Sequence, residues 1–243
     1  MSNKTIGIIA IIVLVVGAYF LINSAPKEDT ENTSGQKNNT QGRVVFSVTD
    51  AAADMGTISE INMKVNNVSV HNNTSGWVTV STTPRVYNLL ALNAQNKSEL
   101  LADIKTQAGS YDQVRLMIDS IAVIKKDGTT KIAKLPSNEL KINTMLMVKA
   151  DETSSVNFDF MADKSLHLTG NGSYIFAPVV KTESRSDANV SVNTSSVVSI
   201  SGGNLDDSNT IGMDIDGSVK LNFQIKSSQK LNIGSDNMIK LEL

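Results

Sequence analysis

A two-residue apolar period runs through most of this chain, and turn-forming clusters interrupt it at short intervals. In "RVVFSVT", Val44, Phe46 and Val48 alternate with polar positions, and "DAAADMG" then breaks the run. Successive side chains of a strand point to opposite faces, so such a segment buries one face and exposes the other. "ISEINMKVNNVSVHN" supplies one or two strands between Ile58 and Val70, Asn72 to Gly76 forms a turn, and "WVTVS" resumes the pattern. Asp127-Gly128 is the strongest hairpin signal, because glycine there tolerates the positive φ that a tight turn requires. Two further strands flank residues 150–154, and two more flank residues 170–172 in "SLHLTGNGSYIFAPVV". One stretch departs from the period. Leu89, Leu90, Leu92, Leu100, Leu101 and Ile104 recur at irregular helical spacing, which predicts a short connecting helix over Ser98 to Ile104. About seven to nine short strands separated by turns indicate an all-β sandwich.

Length and composition bound the rest. At 243 residues the chain allows one sizeable domain, or one domain with an appendage. The absence of cysteine excludes disulfides, a thiolate nucleophile, a Cys-ligated zinc site and a lipidated N-terminal cysteine. The formal charge of -2 comes with no basic stripe, which argues against nucleic acid as a partner.

The run from Ile6 to Ile22, "IGIIAIIVLVVGAYFLI", is uncharged and as a helix spans about 25 Å. Lys4 precedes it, while Lys27, Glu28, Asp29 and Glu31 follow, so the positive-inside rule puts the N-terminus in the cytoplasm and the remainder outside. A cleaved signal peptide ending at Ala25 is the competing reading; Asn23 and Pro26 make that site poor. Residues 24–41 have no apolar period and read as a polar tether spanning roughly 20–25 Å. The organisation expected is a membrane anchor over 1–23, a tether over 24–41, a sandwich over 42–181 and a β-rich extension over 182–243. The extension keeps the strand period at residues 192–200, 219–225 and 238–243 but is poor in large apolar side chains. Sequons at Asn32, Asn38, Asn67, Asn72, Asn73, Asn96, Asn171, Asn189 and Asn193 agree with an external address, although a chain rich in Asn, Ser and Thr makes them by chance.

Candidates for chemistry are few. Asp159, Asp163, Lys164 and His167 are a plausible acid–base cast, and Asp159 with Asp163 would serve a hydrolase. Alternation instead places Phe158, Phe160, Leu166, Leu168, Tyr174 and Phe176 toward the core and the polar residues away from it. His71 abuts a turn and reads as solvated. Two isolated histidines are a poor metal set. Asp206, Asp207, Asp214 and Asp216 offer carboxylates for calcium, but Gly212 stands where an EF-hand needs an oxygen ligand and no glutamate follows at the required distance. Trp77 reads as a core anchor in preference to a sugar platform. No residue is assigned a catalytic, cofactor-binding or metal-binding role, and no cofactor is expected.

The blocks "VVFSVTDA", "WVTV", "VYNLLAL", "AGSYDQVRL", "LPSNELKI", "FDFMADKSL" and "GNGSYIFAPVV", in that order from Gly42 to about Lys181, resemble the domain-of-unknown-function 4382 family of exported proteins. Two departures are Ala52, where the family usually has proline, and Met161, where it often has a small or acidic residue. The resemblance implies a transthyretin- or prealbumin-like sandwich in which Gly109 and Tyr111 mark the turn into a core strand. It implies no catalytic residues. The expectation is a single-pass cell-surface protein, anchored through Ile6 to Ile22, whose sandwich binds a surface protein, a glycan or an envelope component. The alternative is a structural subunit of a fibre or array built by strand addition.

Overall fold

Two β-sheets pack face to face. The centre of the first is β1 (Gln41–Asp50), which pairs antiparallel with β5 (Ser98–Gln107) and parallel with β9 (Thr153–Phe160). Beyond β9 lie β12 (Val179–Ser186), β15 (Asn204–Met213) and β16 (Val219–Leu221); beyond β5 lie β14 (Val197–Ser201) and β13 (Asn189–Val192). The second sheet is built on β2 (Ile58–Asn72) and β6 (Gly109–Lys125). There β3 (Gly76–Ser81) and β4 (Arg85–Asn88) flank β2, while β7 (Thr130–Ala133) and β8 (Glu139–Val148) flank β6. Two small hairpins, β10 (Leu166–Leu168) with β11 (Tyr174–Phe176) and β17 (Leu231–Ile233) with β18 (Ile239–Leu241), complete the strands. This architecture comes from a computed structural model that describes residues 40–51 and 54–242, which fall in one compact unit. The proposed anchor, the tether as far as residue 39 and Ala52 lie outside the described residues. Among the described residues no helix is long and apolar enough to cross a membrane.

Alternation builds the core as expected. Val44, Phe46 and Val48 of β1 and Val156, Phe158 and Phe160 of β9 meet Ile61, Met63 and Val65 of β2 and Val114, Leu116 and Ile118 of β6. Each such side chain contributes about 1.5–3 kcal/mol by leaving water. Gly109 opens β6, and Tyr111 is buried with its hydroxyl donating to the Gln107 carbonyl.

The helix falls elsewhere than the leucine spacing predicts. Ser98 to Ile104 belongs to strand β5, and the helix is α1 (Leu89–Ala94). The Asn88 side chain caps it by accepting from the Ala91 amide, and Leu89 and Leu92, three apart, face the core. A bulge in β5 opposite Phe46 and Ser47, with Leu101 as the extra residue, breaks the two-residue alternation at Leu100 and Leu101. Residues 192–200 are not one strand: they turn at Asn193 to Ser196 between β13 and β14.

Of the strands after residue 181, β13 to β16 add to the first sheet, while β17–β18 stays a separate hairpin. Residues 187–203 are an excursion between β12 and β15, which pair with each other, and within it β13–β14 lies against the outer face of the sheet. Ala188 donates to the Thr153 carbonyl, Arg43 Nη1 to the Val190 carbonyl at 3.1 Å, and Leu100 to the Ser196 carbonyl. Val45, Ser47 and Ser155, which alternate away from the core, are buried all the same. Gly203 closes the stem with φ +76°, and a Cβ there would stand 2.6 Å from the Ser186 carbonyl oxygen.

Candidate functional site

The second sheet leaves its outer face open. Ser69 and His71 of β2, Trp77 and Thr79 of β3, Gln113 and Arg115 of β6, and Lys141 and Asn143 of β8 sit side by side by register. Trp77 is not a core anchor. It is 38% exposed, with the Arg115 guanidinium 3.8 Å over its ring and His71 5.2 Å from it between ring centroids. Trp77 pairs with His71, whose position carries side chains outward, so the same two-residue period that buries Val70 puts Trp77 outside. His71 Nδ1 lies 2.7 Å from Asp112, Arg115 is 3.3 Å from Glu139, and Lys141 is 3.0 Å from the same carboxylate. His71 is therefore a member of a polar network.

This face runs into a groove of about 870 Å³ between β6–β8 and the β15–β16 hairpin. Asp112, Gln113, Glu139, Lys141, Asn143, Thr144 and Met145 form one wall; Asp206, Asp207, Asn209, Val219, Lys220 and Leu221 form the other. Its four carboxylates and two ammonium groups leave an excess of negative charge. Thr144 is 4% exposed, and its hydroxyl has no hydrogen-bond partner; the Asn209 Oδ1 is also buried and unpartnered.

Side chains of the first sheet hold the groove together. β8 is the edge strand facing it, and its main chain is satisfied from outside its own sheet. Asp207 accepts from the Met145 amide and Asp206 from the Met147 amide, each at 3.2 Å. Ser184 and Ser154 donate to the Met145 and Met147 carbonyls, and Asn209 donates to the Asn143 carbonyl. Five side chains thus stand where a neighbouring strand would lie. This divides the four aspartates considered for calcium. Asp206 and Asp207 cap β8, Asp214 pairs with Lys220, and Asp216 accepts from Ser218 in the β15–β16 turn. Among the described residues no group of three or more His, Cys, Asp or Glu is placed to hold a metal ion.

The acid–base cast of residues 159–167 is also dispersed. Asp159 lies on the outer face of the first sheet, opposite Lys181 in register, and Asp163 lies in the first turn of α2 (Ala162–Ser165). Neither lines the groove. Burial pushes the Asp159 carboxyl above its usual range, against the pull of Lys181 and Lys164, and its Oδ1 has no hydrogen-bond partner. Burial holds His167 below its ordinary value. Leu168 is 64% exposed and Leu166 only partly buried, so the expected core role of "LHL" is corrected for Leu168: its strand is three residues long and pairs only with β11.

A family model described as "Domain of unknown function (DUF4382)" matches residues 41–178. The chain belongs to this family. The DUF4382 match contains the whole second sheet and β1, β5 and β9 of the first, and it ends one residue before β12. One wall of the groove therefore lies within the DUF4382 match and the other, β15–β16, beyond it. No curated protein and no solved structure matches the chain.

Proposed function

We propose that this is a binding domain displayed on the outer side of a cell membrane, anchored through Ile6 to Ile22 and held clear by the polar tether, with the groove as its contact surface. The sandwich would then be of the prealbumin kind, as the family resemblance implies. The reading rests on the groove: its volume lies in the range of ligand sites, and it combines apolar rims with convergent polar groups. A surface protein, a glycan and an envelope component are the partners to consider. The structural-subunit alternative has less support, because the free edges of the extension among the described residues are short: β13 is four residues long, and β16, β17 and β18 are three each.

A photo-crosslinking residue at Lys141, in the full chain in its own cell envelope, is expected to give adducts that the same residue at Lys181 does not. Adducts at neither position, or equally at both, would remove the groove as the contact surface. Placement outside the membrane is tested with the chain's lack of cysteine. Asn73→Cys is expected to react with a membrane-impermeant maleimide in intact cells, and an unlabelled product would place the domain on the other side.

A further inference from the structure

We infer that the groove takes an extended, basic segment of a partner protein, added as a strand to the free edge of β16. This deepens the binding-domain reading and rests on it. The edge is the first observation. β16 ends the first sheet and pairs with β15 on one side only. Asn222 donates to the Thr210 carbonyl and Asp214 to the Ser218 carbonyl, so within this antiparallel ladder Lys220 is the β16 residue bonded to β15. The amides and carbonyls of Val219 and Leu221 therefore point the other way, and both residues line the groove. Among the described residues no turn or further strand is hydrogen-bonded to them. The opposite edge, β8, is filled by side chains at alternate residues. The groove thus has one blocked edge and one open one. Two amides and two carbonyls are enough to orient an added segment, whereas three residues are too few to join whole sheets into a fibre.

Charge selects the segment. Asp112 lies against His71, and Glu139 against Arg115 and Lys141. Asp206 and Asp207 have no cation: they accept from the Met147 and Met145 amides and from Ser186 and Asn209. Lys220 is turned to Asp214 instead. The β15 wall therefore carries negative charge that nothing in the protein offsets, and a basic partner meets it where an acidic one is repelled.

Placement selects the pattern. A strand beside β16 puts every second residue on the face shared by Val219 and Leu221 and, across the sheet, by Ile211, Asn209 and Asp207. Met145 and Leu221, 54% and 65% exposed, offer apolar surface to the methylene stems of lysine or arginine, whose charged ends then reach toward Asp207. The segment expected has basic residues at alternate positions.

Fluorescence anisotropy on the full chain in nanodiscs tests this with a labelled Lys-Thr-Lys-Thr-Lys peptide blocked at both ends. It is expected to bind, more weakly as salt rises, while Glu-Thr-Glu-Thr-Glu does not. The basic peptide with every amide N-methylated keeps its charge and is expected to bind roughly tenfold more weakly. Leu221→Pro removes a free edge amide without touching the bonds to β15 and is expected to have a similar effect. Lys141→Gln removes a cation from the groove and is expected to tighten binding severalfold, and Lys181→Gln on the other sheet to leave it unchanged. Equal binding of the N-methylated peptide, with Leu221→Pro silent, overturns strand addition. Preference for the acidic peptide overturns the basic partner. Binding of no peptide, with groove adducts still formed in the envelope, overturns this inference alone; without those adducts the contact surface falls with it.

Discussion

The two sheets have outer faces of opposite fate. On the first sheet, Val45, Ser47 and Ser155 point away from the core and are buried beneath β13–β14. On the second, Trp77, Thr79 and the Arg115–Glu139–Lys141 network point away from the core and stay open. A β-sandwich needs only its facing surfaces dry, and antiparallel sheets commonly leave the other side to water. The excursion over residues 187–203 therefore spends chain on a face that did not require cover, and the face left bare is the one that leads into the groove. Structure is concentrated on one side and surface chemistry on the other.

The largest expected effect breaks this comparison directly. Val45→Asp places a charge under the hairpin and is expected to cost about 3 kcal/mol or more, read from urea midpoints. Thr79→Asp, the equivalent change on the bare face, is expected to stay within about 0.5 kcal/mol. Equal costs would mean that the first sheet's outer face is as wet as the second's. Gly203→Ala adds strain at a left-handed φ and a clash with the Ser186 carbonyl. It is expected to cost about 1–3 kcal/mol and to speed hydrogen exchange at the Leu100 amide, which bonds to the hairpin tip. Exchange unchanged at Leu100 would detach that glycine from the docking of the hairpin. Asp207→Ala leaves the Met145 amide and Asn209 without their acceptor and is expected to cost about 1–2 kcal/mol. Trp77→Ala is expected to cost under about 1 kcal/mol, because the ring is partly exposed and loses chiefly its stack under Arg115.

Acidity sharpens the comparison on the covered side. Burial raises the Asp159 carboxyl, so the stability it adds is present in full below about pH 4 and is lost as pH rises through its folded value. Asp159→Asn is expected to be more stable than the parent at pH 7, with the difference vanishing below about pH 4. Urea midpoints across that range check it, and a variant less stable at neutral pH would show that Lys181 and Lys164 outweigh burial.

The fold class was legible because alternation is a local property and the core uses it without exception at Val44–Phe46–Val48 and Val156–Phe158–Phe160. The helix was misplaced because a bulge in β5, with Leu101 as the extra residue, breaks the two-residue alternation at Leu100 and Leu101, while the real signal, Asn88 as cap with Leu89 and Leu92, is shorter than a periodicity window. Trp77 was misassigned by residue type: its register partner His71 fixes the outward face, and register is not visible until strands are paired. The groove had no sequence signal at all. Asn209 reaches Asn143 across 66 residues, and Asp207 reaches Met145 across 62. The four aspartates of "NLDDSNTIGMDIDG" looked like one cluster because they are close in sequence, yet two serve β8 and two serve a turn.

The central position of β1 has a kinetic consequence. It is the first strand to be made, yet Arg43 waits 60 residues for Asp103 in β5, and its other neighbour, β9, begins only at Thr153. Folding dominated by such distant pairings is slow, because loop closure comes before any contact rewards it. Until Phe160 has emerged, Val44, Phe46 and Val48 form an apolar row on a strand with an unpaired edge. The period in which this protein most needs protection from its neighbours is while it is still being made.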